Sequence, residues 1–199
     1  MTALTETGLV NLALREIGAY RIEALNENSS EAAIARDVMP EAVRFCLSVH
    51  DWRFALKLEQ LQRSNSFTPA ARFSFAYQLP ADFIRLGTVA DNERMSPVLE
   101  DYDYTIAGGF VLASTEFLFC EYVHHHITYS TWPAWFTRYV TAVLASEMAS
   151  PLKSTTERER LEALAKDRLG HARSVDSVQM PVKRPPMGRW QQAMMGGRR

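Results

Sequence analysis

Apolar residues recur at three- and four-residue steps near both ends of the chain and at every second residue through its middle. That pattern predicts helices flanking a β-rich stretch. Leu9, Leu12, Ala13 and Ile17 line one face of a helix over 4–18, which Gly18 is placed to end. A second helix is expected over 29–50, opened by Asn28 as cap with Glu31 three residues later, and burying Ile34, Val38, Ala42, Phe45 and Val49. Pro40 falls within that stripe, where it removes a backbone donor and crowds the preceding turn. A kink or break is therefore expected near Met39.

The period changes to two after Asp51-Trp52. Phe54, Leu56 and Leu58 alternate with Ala55, Lys57 and Glu59, as a half-buried strand requires. Phe73, Phe75, Tyr77 and Leu79 alternate in the same way, and Phe83 to Val89 follows after the short Pro80-Ala81-Asp82 turn, so the two segments read as successive strands. Gly108-Gly109 tolerates the positive backbone angles of a tight hairpin between 102–106 and 110–113, and 117–123 adds a further strand. The stretch 53–125 is thus expected to form one small, mainly antiparallel sheet. Its large apolar positions, Trp52, Phe54, Tyr77 and Leu79, belong to the core on this reading.

Helical spacing returns over 132–150, with Phe136, Tyr139, Val140, Val143, Leu144 and Met148 buried, Pro133 near the first turn and Pro151 as the stop. A fourth helix over 156–175 opens on Thr156-Glu157-Arg158-Glu159 as a capping box and buries Leu161, Leu164, Ala165, Leu169 and Ala172. The fold class expected is α+β, mainly α: a body over 1–175 with a sheet between two helix pairs. An extended arm over 176–199 completes the chain, holding three prolines, three glycines and no helical period.

Charge separates these two parts. The 199 residues include 22 basic and 23 acidic side chains, so no global basic field draws the molecule to nucleic acid or an anionic membrane. The arm, however, holds five basic residues against Asp176 alone, a net +4, which leaves the body at -5. An arm so composed buries too little apolar area to fold by itself, while Met180, Met187, Trp190, Met194 and Met195 supply anchors for a partner. A protein bearing an acidic groove suits this mixture better than phosphate does. Two cysteines, Cys46 and Cys120, cannot form a disulfide framework, and no apolar run approaches the roughly 18 residues of a membrane span. The chain also begins without the pattern of a signal peptide, so a soluble intracellular protein is expected.

Candidate chemistry is sparse. His124-His125-His126 offers at most two metal ligands, because His124 and His126 share one face of a strand while His125 points away. Surface histidines at a strand end are the simpler reading. Cys46, His50 and Asp51 can be drawn as thiol, base and orienting acid, but Cys46 adjoins an apolar stripe, which favours an inert core thiol. No Gly-x-Gly and no Gly-Lys-Ser/Thr occurs, which disfavours nucleotide enzymes. The acids at Glu157, Glu159 and Glu162, and at Asp91 and Glu93, lie among arginines and mark solvated faces. The aromatics between Tyr129 and Tyr139 have the spacing of a core or a subunit interface. The expectation is no catalytic residue, no metal and no cofactor.

Four motifs in order carry a resemblance: Asn11-x-Ala13-Leu14-x-x-Ile17-Gly18, Glu31-Ala32-Ala33, His50-Asp51-Trp52-x-Phe54-Ala55, and Phe75-x-Tyr77-x-Leu79-Pro80-x-Asp82. With the hairpin at Gly108-Gly109, Trp132-Pro133-x-x-Phe136 and two closing helices, the chain resembles the tubular tail protein A family, head-to-tail adaptors of short-tailed bacteriophages. The resemblance implies a structural protein at the head-tail vertex of the virion, present in the host cytoplasm during assembly. It implies a homo-oligomeric ring, usually of twelve copies, docked between the portal protein and the tail nozzle protein, with no membrane partner. Genomic DNA would pass through the ring without specific binding, and an acidic body would avoid holding the phosphates in place. It further implies a C-terminal arm that grips the portal, which in this sequence falls on Arg184, Met187, Arg189, Trp190, Met194, Arg198 and Arg199. A head-completion connector of a long-tailed phage or gene-transfer particle is the nearest alternative, and a small His/Cys-dependent hydrolase is the alternative from another class.

Overall fold

A computed structural model describes residues 3–65, 67, 69, 72–100, 102–152 and 155–178. The arm residues assigned to portal binding, Arg184 to Arg199, lie outside the described residues. Among the described residues, four α-helices and two small antiparallel sheets make up the α+β body. Helix α1 (Glu6–Glu16) is capped by the Thr5 hydroxyl, which accepts from the Gly8 amide at 3.1 Å, and Gly18 follows its end at φ 62°, the left-handed position expected there. The Asn11 side chain then clamps the outgoing loop. Its Nδ2 donates to the Ile22 carbonyl at 2.9 Å and its Oδ1 accepts from the Ile22 amide at 2.8 Å.

Helix α2 (Ser30–Ser48) departs from expectation in three ways. Ser29, not Asn28, is the cap, its hydroxyl accepting from the Ala32 amide at 3.2 Å while donating to Glu27 at 2.7 Å. The helix runs through Pro40 without a break. Pro40 and Arg36 are both exposed, so the carbonyl deprived of its donor lies on the solvent side of the helix, where that loss costs least. The third difference is the buried face, which consists of Ala32, Ala35, Met39, Val43, Cys46 and Leu47 together with Ala42. Three alanines let α2 lie close on its neighbour, whereas the bulkier Ile34, Val38 and Val49 are only half-buried and Phe45 is 51% exposed.

The chain enters the β region through a 3₁₀ turn at Arg53–Ala55, so Phe54 precedes the strand instead of belonging to it. Strands β1 (Leu56–Gln60), β2 (Gln62–Ser64), β3 (Phe75–Gln78), β4 (Phe83–Ala90), β5 (Tyr104–Ala107), β6 (Phe110–Ala113) and β7 (Phe119–His124) follow. They form two sheets and not one: β1-β7-β4 and β2-β3-β6-β5. The successive strands β3 and β4 do not pair. Pro80 cannot donate to a ladder, and Asp82 beyond it is tied to the other sheet, accepting from the Tyr122 hydroxyl at 3.0 Å and pairing with Lys57 at 3.3 Å. The hairpin of β5 and β6 does turn on Gly108-Gly109, at φ 60° and 84°. A small core of Leu61, Tyr77, Val89, Val111, Leu118 and Tyr122 joins the sheets.

Helix α3 (Ala134–Leu152) is the axis of the helical half, with Phe136, Tyr139, Val140, Leu144 and Met148 almost fully buried. It runs one residue past Pro151, which does not stop it where expected. Proline only disfavours the helical conformation of the residue before it and withholds a single amide, so the last turn of a helix can include it. Helix α4 (Thr155–Val178) packs along α3 through Leu161, Ala165 and Ala172. Thr156 is already inside this helix, so it is not the cap.

Candidate functional site

The end of α4 corrects the boundary drawn at 175. Asp176 is 2% exposed and belongs to the body: its carboxylate accepts from the Arg53 amide at 3.3 Å and faces His50 Nε2 at 3.2 Å. One turn earlier, the Arg173 guanidinium donates to the Val49 carbonyl at 2.7 Å. The last turn of α4 is thereby fastened to the junction between α2 and β1, and the chain beyond Val178 starts from a fixed point. The segment 179–199 then carries five basic residues and no acid. The helical period of α4 fades before Asp176 because its last turn is held by polar partners distant in sequence, a signal no local pattern carries. Asp176→Ala is expected to cost about 2 kcal/mol, since it leaves a half-buried amide and imidazole without their acceptor, and Asp176→Asn less because its carbonyl still accepts from Arg53. Urea midpoints of the two variants check the order.

The same contacts take apart the triad considered above. His50 is turned to Asp176, and Asp51 instead faces the Arg85 guanidinium at 3.2 Å. Cys46 is fully buried beneath the Trp52 indole, which donates to the Cys46 carbonyl at 2.7 Å. Burial pushes its thiol well above the ordinary value, and Cys120, also buried, is pushed up to about 12. Burial thus disfavours the thiolate form of both.

His124 and His126 do share a face, and their ring nitrogens form a relay. His124 Nδ1 lies 2.7 Å from the Ala55 carbonyl, His124 Nε2 lies 3.0 Å from His126 Nδ1, and His126 Nε2 lies 2.6 Å from the Thr131 hydroxyl. The Ala55 carbonyl can only accept, so His124 carries its proton on Nδ1 in the neutral pair. His126 then donates through Nδ1, and Thr131 donates to His126 Nε2. When the pair gains one proton, His126 Nε2 becomes a donor and the Thr131 hydroxyl turns to the Thr128 carbonyl, 2.8 Å away. All four ring nitrogens are occupied in both states, so a metal would have to break the relay. Among the described residues no group of three or more His, Cys, Asp or Glu is placed to hold an ion.

Burial, and then the neighbouring His124, hold the His126 pKa below its usual 6.5. A depressed imidazole pKa favours the neutral native form. Its contribution to stability is whole above the unfolded value and is lost as pH falls through the lower folded one. The stability lost between about pH 7 and about pH 5 is therefore expected to be smaller in His126→Gln than in the unaltered protein. Equal losses in urea titrations at the two pH values would show that His126 titrates alike in both states.

Two further surface features involve α3. The larger is a cavity of about 690 Å³ where α1, α4 and the start of α3 meet. Buried Trp132 and Thr141 and half-buried Leu4 and Leu12 line it, with the exposed guanidinium groups of Arg15 and Arg138 beside Arg168. Arg168 is neutralised by Glu16 at 2.9 Å, while Arg15 and Arg138 have no acidic partner among the described residues. The second is a groove of about 340 Å³ between α2 and α3, where Phe45, Val38 and Val143 are bordered by Asp37, Glu41 and Glu147. None of these three acids is in an ion pair among the described residues. The sequence pattern had assigned Phe45 and Val38 to the core. Their neighbours Asp37 and Glu41, on the same helical face, are the signal that this face meets water or a partner.

No family model matches the chain, and no curated protein matches it. No described helix is long and apolar enough to cross a membrane.

Proposed function

We propose that the protein is a structural head-to-tail adaptor of a bacteriophage virion, forming a ring between portal and tail nozzle and surrounding the DNA conduit. The observation that carries this reading is the ordered set of motifs spread from Asn11 to Phe136, with order and spacings like those of the tubular tail protein A family. The motif residues act as scaffold: Asn11 clamps a loop, Trp52 and Tyr77 are buried, and Asp82 ties a turn to a sheet. That is the use a structural protein makes of such residues, whereas an enzyme needs convergent reactive groups, and the candidate triad diverges. The body grips DNA weakly because its charge is acidic, and the basic segment after Val178 engages the portal. The test is assembly on portal rings of the same virion, viewed by electron microscopy. A collar of subunits beneath each portal is expected. Portals that stay bare at saturating protein would refute the adaptor reading.

A further inference from the structure

The cavity and the groove are complementary, and the helix that carries both keeps them apart. Arg138 lies at the cavity and Glu147 at the groove, nine residues apart on one continuous helix. Nine residues are about two and a half turns, so the two side chains leave α3 on opposite faces. The groove presents an exposed aromatic ring within three unpaired carboxylates. The cavity presents Leu4, Leu12 and Trp132 among polar side chains, with two guanidinium groups at its edge that have no acidic partner among the described residues. A subunit cannot close one on the other within itself.

We infer that a second copy of this chain covers each surface: the acidic Phe45 face of one subunit packs over the arginine-edged cavity between α1, α3 and α4 of the next. Such a contact is heterologous, because the donating and receiving surfaces differ, and repeated from subunit to subunit it builds a ring when the rotation closes. Phe45 supplies the buried aromatic anchor, and Asp37, Glu41 and Glu147 face Arg15 and Arg138 around it, fixing the register. Charge also argues against a face-to-face arrangement. Two acidic grooves or two arginine-edged cavities brought together would set like charges opposite each other. The inference rests on the ring proposed above and names the surfaces that build it.

The experiment uses the full chain carrying Phe45→Cys, labelled with a maleimide-benzophenone, which replaces one aromatic group by another and captures whatever covers that position. The native thiols are buried and do not compete. Irradiation is carried out in solution and on portal rings, with an isotopically labelled copy mixed in to separate links between chains from links within one. Cross-links to Leu4, Leu12 or Trp132 of another copy are expected. Arg15→Glu with Arg138→Glu in the receiving copy is expected to lower their yield at least about tenfold, because like charges then meet. Glu41→Arg with Glu147→Arg in the labelled copy is expected to restore it, a rescue that a misfolded receiver would not show. Links to the Phe45 face of another copy, links to residues 179–199, or no links in either setting would overturn the inference. Docking on portal rings, scored in the same samples by pull-down, separates this failure from failure of the adaptor reading.

Discussion

Trp52→Ala is expected to cost about 3 to 5 kcal/mol of folding stability, the range for removing a large aromatic from a close-packed core. Trp52 is fully buried and sits where α2, α3 and the 3₁₀ turn meet. Its ring centroid lies 5.2 Å from that of Phe136, 5.5 Å from Trp135 and 6.2 Å from Tyr139, and its indole N–H holds the last turn of α2 through the Cys46 carbonyl. Truncation opens a cavity bounded by α2, α3 and the 3₁₀ turn, all fixed by other contacts, so the site cannot collapse to fill it. Against a typical total of about 5 to 15 kcal/mol, the loss is large enough to populate unfolded chains at room temperature. Leu58→Ala is the control. Leu58 shares the alternating pattern that follows Trp52 but is 51% exposed, and its truncation is expected to change stability by less than about 0.5 kcal/mol. Chemical denaturation of both variants gives the comparison, and a loss below about 1 kcal/mol for Trp52→Ala would contradict the assigned core.

Removal of residues 179–199 is expected to leave a folded body that no longer docks stably on portal rings. The cut keeps Asp176 and Val178, because α4 continues to Val178 and Asp176 closes the contact with His50 and Arg53. The removed segment contains every basic residue beyond Arg173, together with Trp190 and four methionines. On the adaptor reading proposed above each copy would contribute a modest attraction and copies in one ring would act together, so the apparent affinity is expected to fall by at least about a hundredfold. Trp190→Ala is expected to reproduce much of the loss, since large aromatics dominate interface energies, whereas Arg198→Ala with Arg199→Ala should chiefly flatten the salt dependence. Pull-downs on portal rings at two salt concentrations, beside circular dichroism of the free proteins, give the result. A truncated body that docks as the full chain does would remove the portal role from Arg184, Met187, Arg189, Trp190, Met194, Arg198 and Arg199.

The amino-acid sequence by itself determined the elements whose signals are local. Helix α1 with its glycine stop, the α3 core stripe and the Gly108-Gly109 hairpin all follow from side-chain period and from glycine's access to positive φ. The buried position of Cys46 was legible too, from its place beside an apolar stripe. Tertiary structure decided what depends on partners far along the chain. Whether β3 and β4 pair is set by Asp82 reaching Tyr122 and Lys57, which no alternation of residues encodes. Which face of α2 is buried is set by how closely α3 approaches: alanines allow the contact, and the larger Val38 and Phe45 are turned outward, against the rank order of hydrophobicity. Asp176 reads as the first residue of an arm until His50 and Arg53, more than a hundred positions earlier, are brought to its carboxylate. The paired surfaces on α3 arise in the same way, since Arg15 and Phe45 join them from other helices and acquire their setting only when those helices pack.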